Sequence, residues 1–296
     1  MNLRQVGEDE LVRRITSRLP RNRDVLSAAG DDCAVVRFRG SDRLLLLKTD
    51  CVVEGVHFDS CAKAVDVGWK AMARPLSDFA AMAGVPQFAL VTFIAPGRTG
   101  VEWTRAVYRG LTKAARLFDV AIVGGETSRI DGPLAISVSV SGFVEKDRCV
   151  RRSGGKPGDD LFVTGRLGGS IRGKHLRFRP RIAEARWLTQ HVRVHAMMDL
   201  SDGLGADLPR LARASEVGFE LDEASIPRTP GCTVEQAISD GEDYELLFAT
   251  SPAVRDELSK KWKRKFPKLP LTRIGSLVQK SKTQNQKSLR GYVHFQ

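Results

Sequence analysis

Acidic and hydroxyl side chains stand beside glycine or other small residues at several separated points of this chain. Asp31 and Asp32 lie in GDDCA (30–34), and Thr49 and Asp50 close the run LLLLKTD (44–50). Asp78 lies in LSDFAAM (76–82), Glu126 follows the glycines of VGGETS (123–128), and Asp199 and Asp202 bracket DLSDGL (199–204). Each string reads as the end of a strand or the start of a helix, where carboxylates from distant segments can converge on one cleft. Carboxylates brought that close repel unless cations neutralise them. An all-oxygen set with Thr and Ser nearby suits Mg²⁺ rather than zinc. Taken singly, Asp202 is also an apt helix N-cap and Asp31 an apt Asx-turn residue. GGETS (124–128), RRSGGKPGD (151–159) and SDGLG (201–205) place backbone N–H groups at turns or helix starts, which suits anions. Arg152 has the planar fork for paired bonds to a phosphate, or is a linker arginine in solvent.

Other chemistries are excluded. GGSIRGKH (168–175) fits the P-loop glycine and lysine spacing but has His175 where the Mg²⁺-binding hydroxyl belongs, and Pro180 follows soon after. There is no G-x-S-x-G elbow and no H-E-x-x-H. His57 is a lone histidine in EGVHF. Glu242 and Asp243, in SDGEDYELLF, form an acidic pair before a strand, placed either to recognise a cationic substrate or simply to make a turn.

The elements that must carry these residues follow from periodicity. Helices are expected over 7–19, 64–82, 101–118, 181–190, 203–214, 233–239 and 253–262. Pro75 is expected to break the second of these, with a restart at Leu76. Strands are expected over 33–38, 43–50, 88–94, 134–144, 161–164, 194–199, 217–221, 244–249 and near 270–278. Val120–Val123 reads as a short buried strand stopped by Gly124–Gly125. RRSGGKPGDD (151–160) is the clearest punctuation, so the domains divide as 1–150 and 151–296. The stretch KSKTQNQKSLRG is polar and expected to be mobile.

The 296 residues are enough for two ordinary domains. The longest aliphatic run, Leu44–Leu47, falls far short of a membrane span of roughly 20 residues. The N-terminus lacks a signal peptide's apolar core, so a cytoplasmic protein is expected. Five cysteines with no C-x-x-C pair argue for buried free thiols rather than disulfides or a zinc knuckle. The formal charge of +12 is concentrated in residues 251–296, with 12 Lys/Arg against 2 Asp/Glu. Lys260–Lys265 reads as a solvated helix face. With only Trp262 and Phe266 interleaved it is a poor base-stacking platform, and nucleic acid is not expected as a partner.

Together, GDDCA (30–34), KTDCVVEGVHF (48–58), LSDFAAMAG (76–84), VGGETS (123–128), RRSGGKPGDDLFVTG (151–165), DLSDGL (199–204) and GEDYELLF (241–248) resemble the thiamine-monophosphate kinase family. That family shares a superfamily with aminoimidazole ribonucleotide synthetase and selenophosphate synthetase, and motif order and spacing agree over nearly the whole chain. The resemblance implies an α/β fold (α+β mixed sheets) of two domains. The N-terminal domain would bind ATP and Mg²⁺ and pair with a second copy as a dimeric β-barrel; the C-terminal one would be α/β with a basic tail. It implies transfer of the γ-phosphoryl group of ATP to thiamine monophosphate, with Mg²⁺ as cofactor and a homodimer as the working form. By resemblance the metal ligands are Asp32, Thr49, Asp50, Asp78, Glu126, Asp199 and Asp202. The nucleotide contacts are Gly125, Glu126, Arg152 and Ser201, and the substrate contacts His57, Glu242 and Tyr292. Asp50, Arg152 and Asp202 would be catalytic. The alternatives are a sister enzyme with another small acceptor and a degenerate nucleotide-binding homologue.

The chain departs from the family pattern at named points. Lys48 replaces a usual Ser, so its ammonium either replaces one Mg²⁺ or points away along the alternating strand. Glu126 replaces Asp, Asp240 replaces the first Gly of GGED, and Pro75 alters the helix of Asp78. The segment between Gly169 and Pro180 is short and basic.

Overall fold

The computed structural model describes residues 3–280. The first half holds α1 (Leu3–Val6), α2 (Glu8–Thr16), β1 (Val25–Ser27), β2 (Ala34–Arg37), β3 (Arg43–Val53), α3 (Ala64–Ala81), β4 (Val85–Ala95), α4 (Val101–Leu117), β5 (Ala121–Arg129) and β6 (Ala135–Glu145). The second holds β7 (Asp160–Thr164), α5 (Ile182–His191), β8 (Val194–Asp199), α6 (Leu204–Ala214), β9 (Gly218–Leu221), α7 (Val234–Ser239), β10 (Leu246–Thr250), α8 (Arg255–Lys265) and β11 (Leu271–Val278).

The first sheet has the order β1-β2-β3-β6-β4-β5 and is mixed: β4 and β5 run parallel, all other neighbours antiparallel. Its strands alternate, as half-covered strands must. Leu44, Leu46 and Val52 of β3 and Ile136, Val138 and Val140 of β6 are buried, in one core with residues of α3 and α4. The two helices press together where Gly68 and Gly110 remove side chains: a Cβ on Gly68 would lie 1.9 Å from Val107 O, and one on Gly110 2.0 Å from Val65 O. The other face carries Leu47, Phe88, Leu90 and Val123, all exposed.

The second sheet, β8-β10-β7-β11-β9, is antiparallel throughout. Its central strands β7 and β10 are buried at every position, so both faces are covered. Leu161, Val163 and Leu247 pack with Leu204, Leu208 and Leu211 of α6. Phe162 and Phe248 stack at 5.4 Å and pack with Leu188, Leu258 and Trp262. Trp262 is thus core, resting its ring against Trp187 and Phe266, and is no base-stacking platform.

The spine is α3. Leu76, Phe79, Ala80 and Ala81 are fully buried, and Ala80, with Ala83 just past the helix end, joins the second half's core. The expected break at Pro75 does not occur. Proline costs one internal hydrogen bond, while truncating a buried residue such as Phe79 would cost about 3–5 kcal/mol, so packing holds the helix continuous. Two other expectations are corrected. β3 runs on to Val53, so Thr49 and Asp50 are mid-strand rather than at a strand end. β5 continues through Gly124–Gly125 to Arg129 as an edge strand with most residues exposed. Gly125 permits that pairing, because a Cβ there would lie 1.8 Å from Val91 O. Among the cysteines, Cys33 and Cys232 are buried but Cys51 and Cys61 are exposed. No helix among the described residues is long and apolar enough to cross a membrane.

Candidate functional site

The loop before β2, the middle of β3, the C-terminal half of α3 and the end of β8 meet at one place. There Asp32, Asp78 and Asp199, all buried, each bring a carboxylate oxygen within 4.8 Å of the others. Asp32 Oδ2 is buried with no hydrogen-bond partner. Asp199 accepts from Ser77 Oγ at 2.5 Å. Burial, then the charge of Asp32, pushes the Asp199 carboxyl up to about 7. Burial raises Asp78 well above the ordinary carboxylate range against the pull of Lys48. Two carboxyls held up by burial and neighbouring charge, beside a third with an orphan oxygen, form a site matched to a hard cation.

Two cations already lean on this cluster. Lys48 Nζ donates to Asp78 Oδ1 at 2.7 Å, which settles its direction: it faces the carboxylates. Arg152 donates to Asp32 Oδ1 through Nε (3.2 Å) and Nη2 (2.6 Å), and its backbone N–H donates to Asp31 Oδ1. It is therefore not a solvent-exposed linker residue. An open cleft of about 730 Å³ leads to the cluster, lined by Asp31, Lys48, Asp50, Arg74, Asp78, Arg152, Asp199, Ser201, Asp202, Arg210 and others. Asp202 is not the N-cap of α6, a place Gly203 takes. The Asp202 backbone N–H instead donates to Asp207 Oδ2, and Arg210 joins the carboxylates of Asp202 and Asp207.

A second cavity of about 360 Å³ opens beside the first, lined by His57, Ile171, Asp240, Gly241 and Glu242 among others, and shares Arg74, Ser201, Asp202 and Tyr244 with it. Its GEDYE loop is held in strained backbone: Glu242 and Tyr244 sit at φ 62° and 51°, in the left-handed region. Hydrogen bonds from Glu242 N to Ser201 O (2.6 Å) and Tyr244 N to Leu200 O (2.8 Å) lock the loop onto the DLSDG loop. Glu242 is not a free anion. Lys70 Nζ, fully buried, donates to both its oxygens at 2.7 and 2.6 Å, and His175 Nδ1 lies 2.8 Å from Oε2. Burial alone would raise it, but His175 and Lys70 hold the Glu242 carboxyl at about 2. Burial also draws Lys70 down to about 8. Asp243 turns away from the cavity and accepts from Gly168 N at 2.9 Å. His57 lines the cavity, with Nδ1 accepting from Val53 N at 3.0 Å.

The chain is similar over most of its length to known proteins. Residues 30–144 match the AIR synthase related protein N-terminal domain, and residues 121–284 its C-terminal domain. The thiamine-monophosphate kinase of Rhodopirellula baltica is 41% identical over 284 residues, covering 89% of this chain and 86% of the relative. The chain belongs to the thiamine-monophosphate kinase family. The Bacillus subtilis thiamine-monophosphate kinase is 31% identical over 98% of this chain and 100% of its own length. The structure of AaThiL complexed with AMPPCP and TMP superposes with a TM-score of 0.84 at 30% identity, over 99% of each chain.

Of the residues assigned by family resemblance, the structure gathers Asp32, Asp78 and Asp199 in the cluster and Asp50, Arg152, Ser201 and Asp202 along its cleft. It places His57 and Glu242 in the side cavity. Thr49 points the other way along β3, bonded to Ser137 and Ser139 on the sheet's open face, and Gly125 and Glu126 lie on exposed β5. Tyr292 lies outside the described residues, as does the polar stretch after Lys280. Sequence reasoning missed Lys70, Arg74, His175, Asp207 and Arg210. A signal existed for Lys70 and Arg74: with Asp66 and Asp78 they are the charged residues of α3, and the four recur every fourth position.

Proposed function

We propose that this chain is a thiamine-monophosphate kinase, transferring the γ-phosphoryl group of ATP to thiamine monophosphate to give thiamine diphosphate and ADP. The observation that carries the reading is the buried Asp32–Asp78–Asp199 cluster at the head of a cleft that shares a wall with a second cavity, which gives room for two phosphate-bearing molecules. Relatives covering nearly all of this chain carry that name, and AaThiL was seen with AMPPCP and TMP.

The orphan oxygen of Asp32 and the all-carboxylate donor set fit Mg²⁺. Asp32, Asp78 and Asp199 would hold it, with Asp50 and Asp202 on the cleft wall. When bound it supplies positive charge for the phosphate oxygens. The chain's own residues do the rest. An anionic oxygen of the acceptor phosphate forms the new bond to the γ-phosphorus. The bond from that phosphorus to the β,γ-bridging oxygen breaks, and its electron pair leaves on ADP. The nucleophile is already ionised at neutral pH, so no strong base is needed and alignment dominates. Arg152, on the cleft wall, carries charge toward the donor phosphates. The side cavity, walled by His57, Ile171, Tyr244 and the Lys70-neutralised Glu242, takes the heterocycle.

The open face of the first sheet supports a homodimer. Leu47 (42% exposed), Phe88 (49%), Leu90 (49%) and Val123 (58%) form an apolar stripe next to the unpaired edge of β5. The reading of Thr49, Gly125 and Glu126 as metal and nucleotide contacts rests on family resemblance.

The test is a coupled assay of the purified chain with ATP, Mg²⁺ and thiamine monophosphate, with thiamine diphosphate identified by chromatography. Product formation that stops on chelation is expected. Turnover of carboxylate or amide acceptors but not of thiamine monophosphate would replace the reading with a sister activity.

A further inference from the structure

The mechanism above leaves one demand unmet on the acceptor side. The acceptor brings its own phosphate to the mouth of a cluster of carboxylates, and anions repel anions. Mg²⁺ on the cluster offsets that repulsion, and a fixed cation of the protein is needed to hold the phosphate in place between the side cavity and the cluster.

Arg74 is where such a cation is needed. It follows Lys70 by one turn of α3 and precedes Asp78 by another, so the three stand in line along one helix face, about 6 Å apart along the axis. Lys70 lies under Glu242 at the side cavity, and Asp78 belongs to the carboxylate cluster. Arg74 lies between them and lines both cavities. Of the four residues the cavities share, Arg74, Ser201, Asp202 and Tyr244, it is the only cation. Its guanidinium is anchored, with Nη1 donating to Cys51 O at 2.8 Å and Nη2 lying 3.2 Å from Asp50 Oδ1. Nε is buried with no partner. The side chain is 12% exposed, so its charge works in a largely desolvated wall. The other cations lining the cleft, Arg13, Lys48, Arg152, Arg210 and Arg213, do not line the side cavity, and Lys48 and Arg152 lie against the carboxylate cluster itself.

We propose that Arg74 binds the acceptor's own phosphate at the junction of the two cavities and so holds the attacking oxygen at the mouth of the carboxylate cluster. This inference rests on the phosphotransfer reading above and names the residue that makes an acceptor with a phosphate preferable to one without. The arginine fork suits a phosphate by paired hydrogen bonds, which a lysine cannot reproduce.

The test measures a preference by isothermal titration calorimetry, with the full chain, Mg²⁺ and a non-hydrolysable ATP analogue present throughout. Thiamine monophosphate and thiamine are titrated separately, since they differ only in the phosphate. The wild-type chain is expected to bind the monophosphate at least tenfold more tightly. Arg74→Gln should cut that preference to about threefold or less while leaving the affinity for thiamine unchanged, and Arg74→Lys should retain part of it. A preference equal to the wild type's in Arg74→Gln overturns the inference, as does an equal loss of both affinities, which would mark a merely structural role. If Arg74→Gln does not fold by near-UV circular dichroism, Arg74→Lys carries the test, and an undiminished preference there counts against the proposal. A wild-type chain that binds neither thiamine nor its monophosphate sinks the functional reading itself, whereas one that binds the monophosphate with a preference insensitive to Arg74 sinks only this inference.

Discussion

Two sets of buried carboxylates lie in this molecule, and they are built on opposite rules. In the second sheet, Glu245 is 2% exposed and receives Arg181 Nε and Nη2 at 2.7 Å each, with Thr164 Oγ1 at 2.9 Å. Asp160, equally buried, lies 2.6 Å from both Arg255 and Arg273. Burial would raise its pKa, but the two arginines hold it below the ordinary range. At the head of the cleft, Asp32, Asp78 and Asp199 face one another instead. Lys48 and Arg152 supply two cations to three carboxylates, and one oxygen has no partner. Burial of an acid is therefore no mark of a site here. What marks it is several buried acids facing one another at a cleft without enough partners, because that deficit is stored for a ligand to relieve; a lone orphan oxygen such as Asp243 Oδ1 does not suffice.

The sharpest way to break that contrast is to neutralise one member of each set. Asp199→Asn removes a charge that burial and Asp32 oppose, and its amide can still accept from Ser77. Thiamine diphosphate formation should fall by about 10³-fold, as for loss of a group that places charge in a phosphoryl-transfer site. The midpoint of metal-free thermal unfolding should hold or rise. A variant that loses stability together with activity would make Asp199 an ordinary structural acid.

Glu245→Gln should do the reverse. It leaves the Arg181 guanidinium, 18% exposed, facing a neutral partner. Removing one member of a buried pair costs about 3 kcal/mol, read as a lower urea midpoint with unchanged slope. Turnover of the fraction still folded should stay near the wild-type value. If activity drops while the midpoint stays put, the two sets of acids are not distinct in kind.

The contrast also has a pH dependence. Asp199 binds its proton more tightly folded, at about 7, than unfolded, where an Asp titrates near 3.8. Between those values the native state holds more protons than the unfolded one, so stability falls as pH rises through that window. Asp199→Asn lacks this contribution. For the metal-free chain, its stability advantage over wild type should widen from about pH 4 to pH 7, and Mg²⁺ should narrow it again by restoring the wild type. A difference that stays flat across this range would show that the cluster does not oppose its own ionisation.

The acids of the cluster were legible in the sequence because each sits in a short string with its own punctuation, and family resemblance tied the strings together. Their partners were not. Lys70 meets Glu242 across 172 positions, Arg152 meets Asp32 across 120, and His175 belongs to a segment readable only as a failed P-loop. Such contacts follow from how two sheets pack around α3, which no local pattern encodes. The same limit explains the misplaced helix break. Proline's local cost at position 75 was visible, but the burial that outweighs it was not. At β5 the glycines read as a stop, although the close approach of Val91 makes Gly125 a requirement for continuing the strand. Asp202 read as a cap because its own backbone N–H partner, Asp207, lies five residues on, inside the helix.

Glu126 offers the finest discrimination between the two kinds of acid. It lies neither in the cluster nor in an arginine pair. It stands on the exposed edge strand with its carboxylate accepting from the backbone N–H of Thr127 at 3.1 Å. If family resemblance places it correctly, a metal or nucleotide must bridge from the cleft to that edge, and Glu126→Gln should raise the KM for ATP or the Mg²⁺ requirement several-fold while leaving the affinity for thiamine monophosphate alone. Carboxylate and amide have nearly the same shape, so little change in stability is expected at an exposed site. Steady-state kinetics over a series of Mg²⁺ concentrations reads the effect directly. Should the ATP and Mg²⁺ dependences of Glu126→Gln superpose on those of the wild type, the metal set contracts to the acids that line the cleft, and resemblance will have assigned a role that the geometry of this chain does not use.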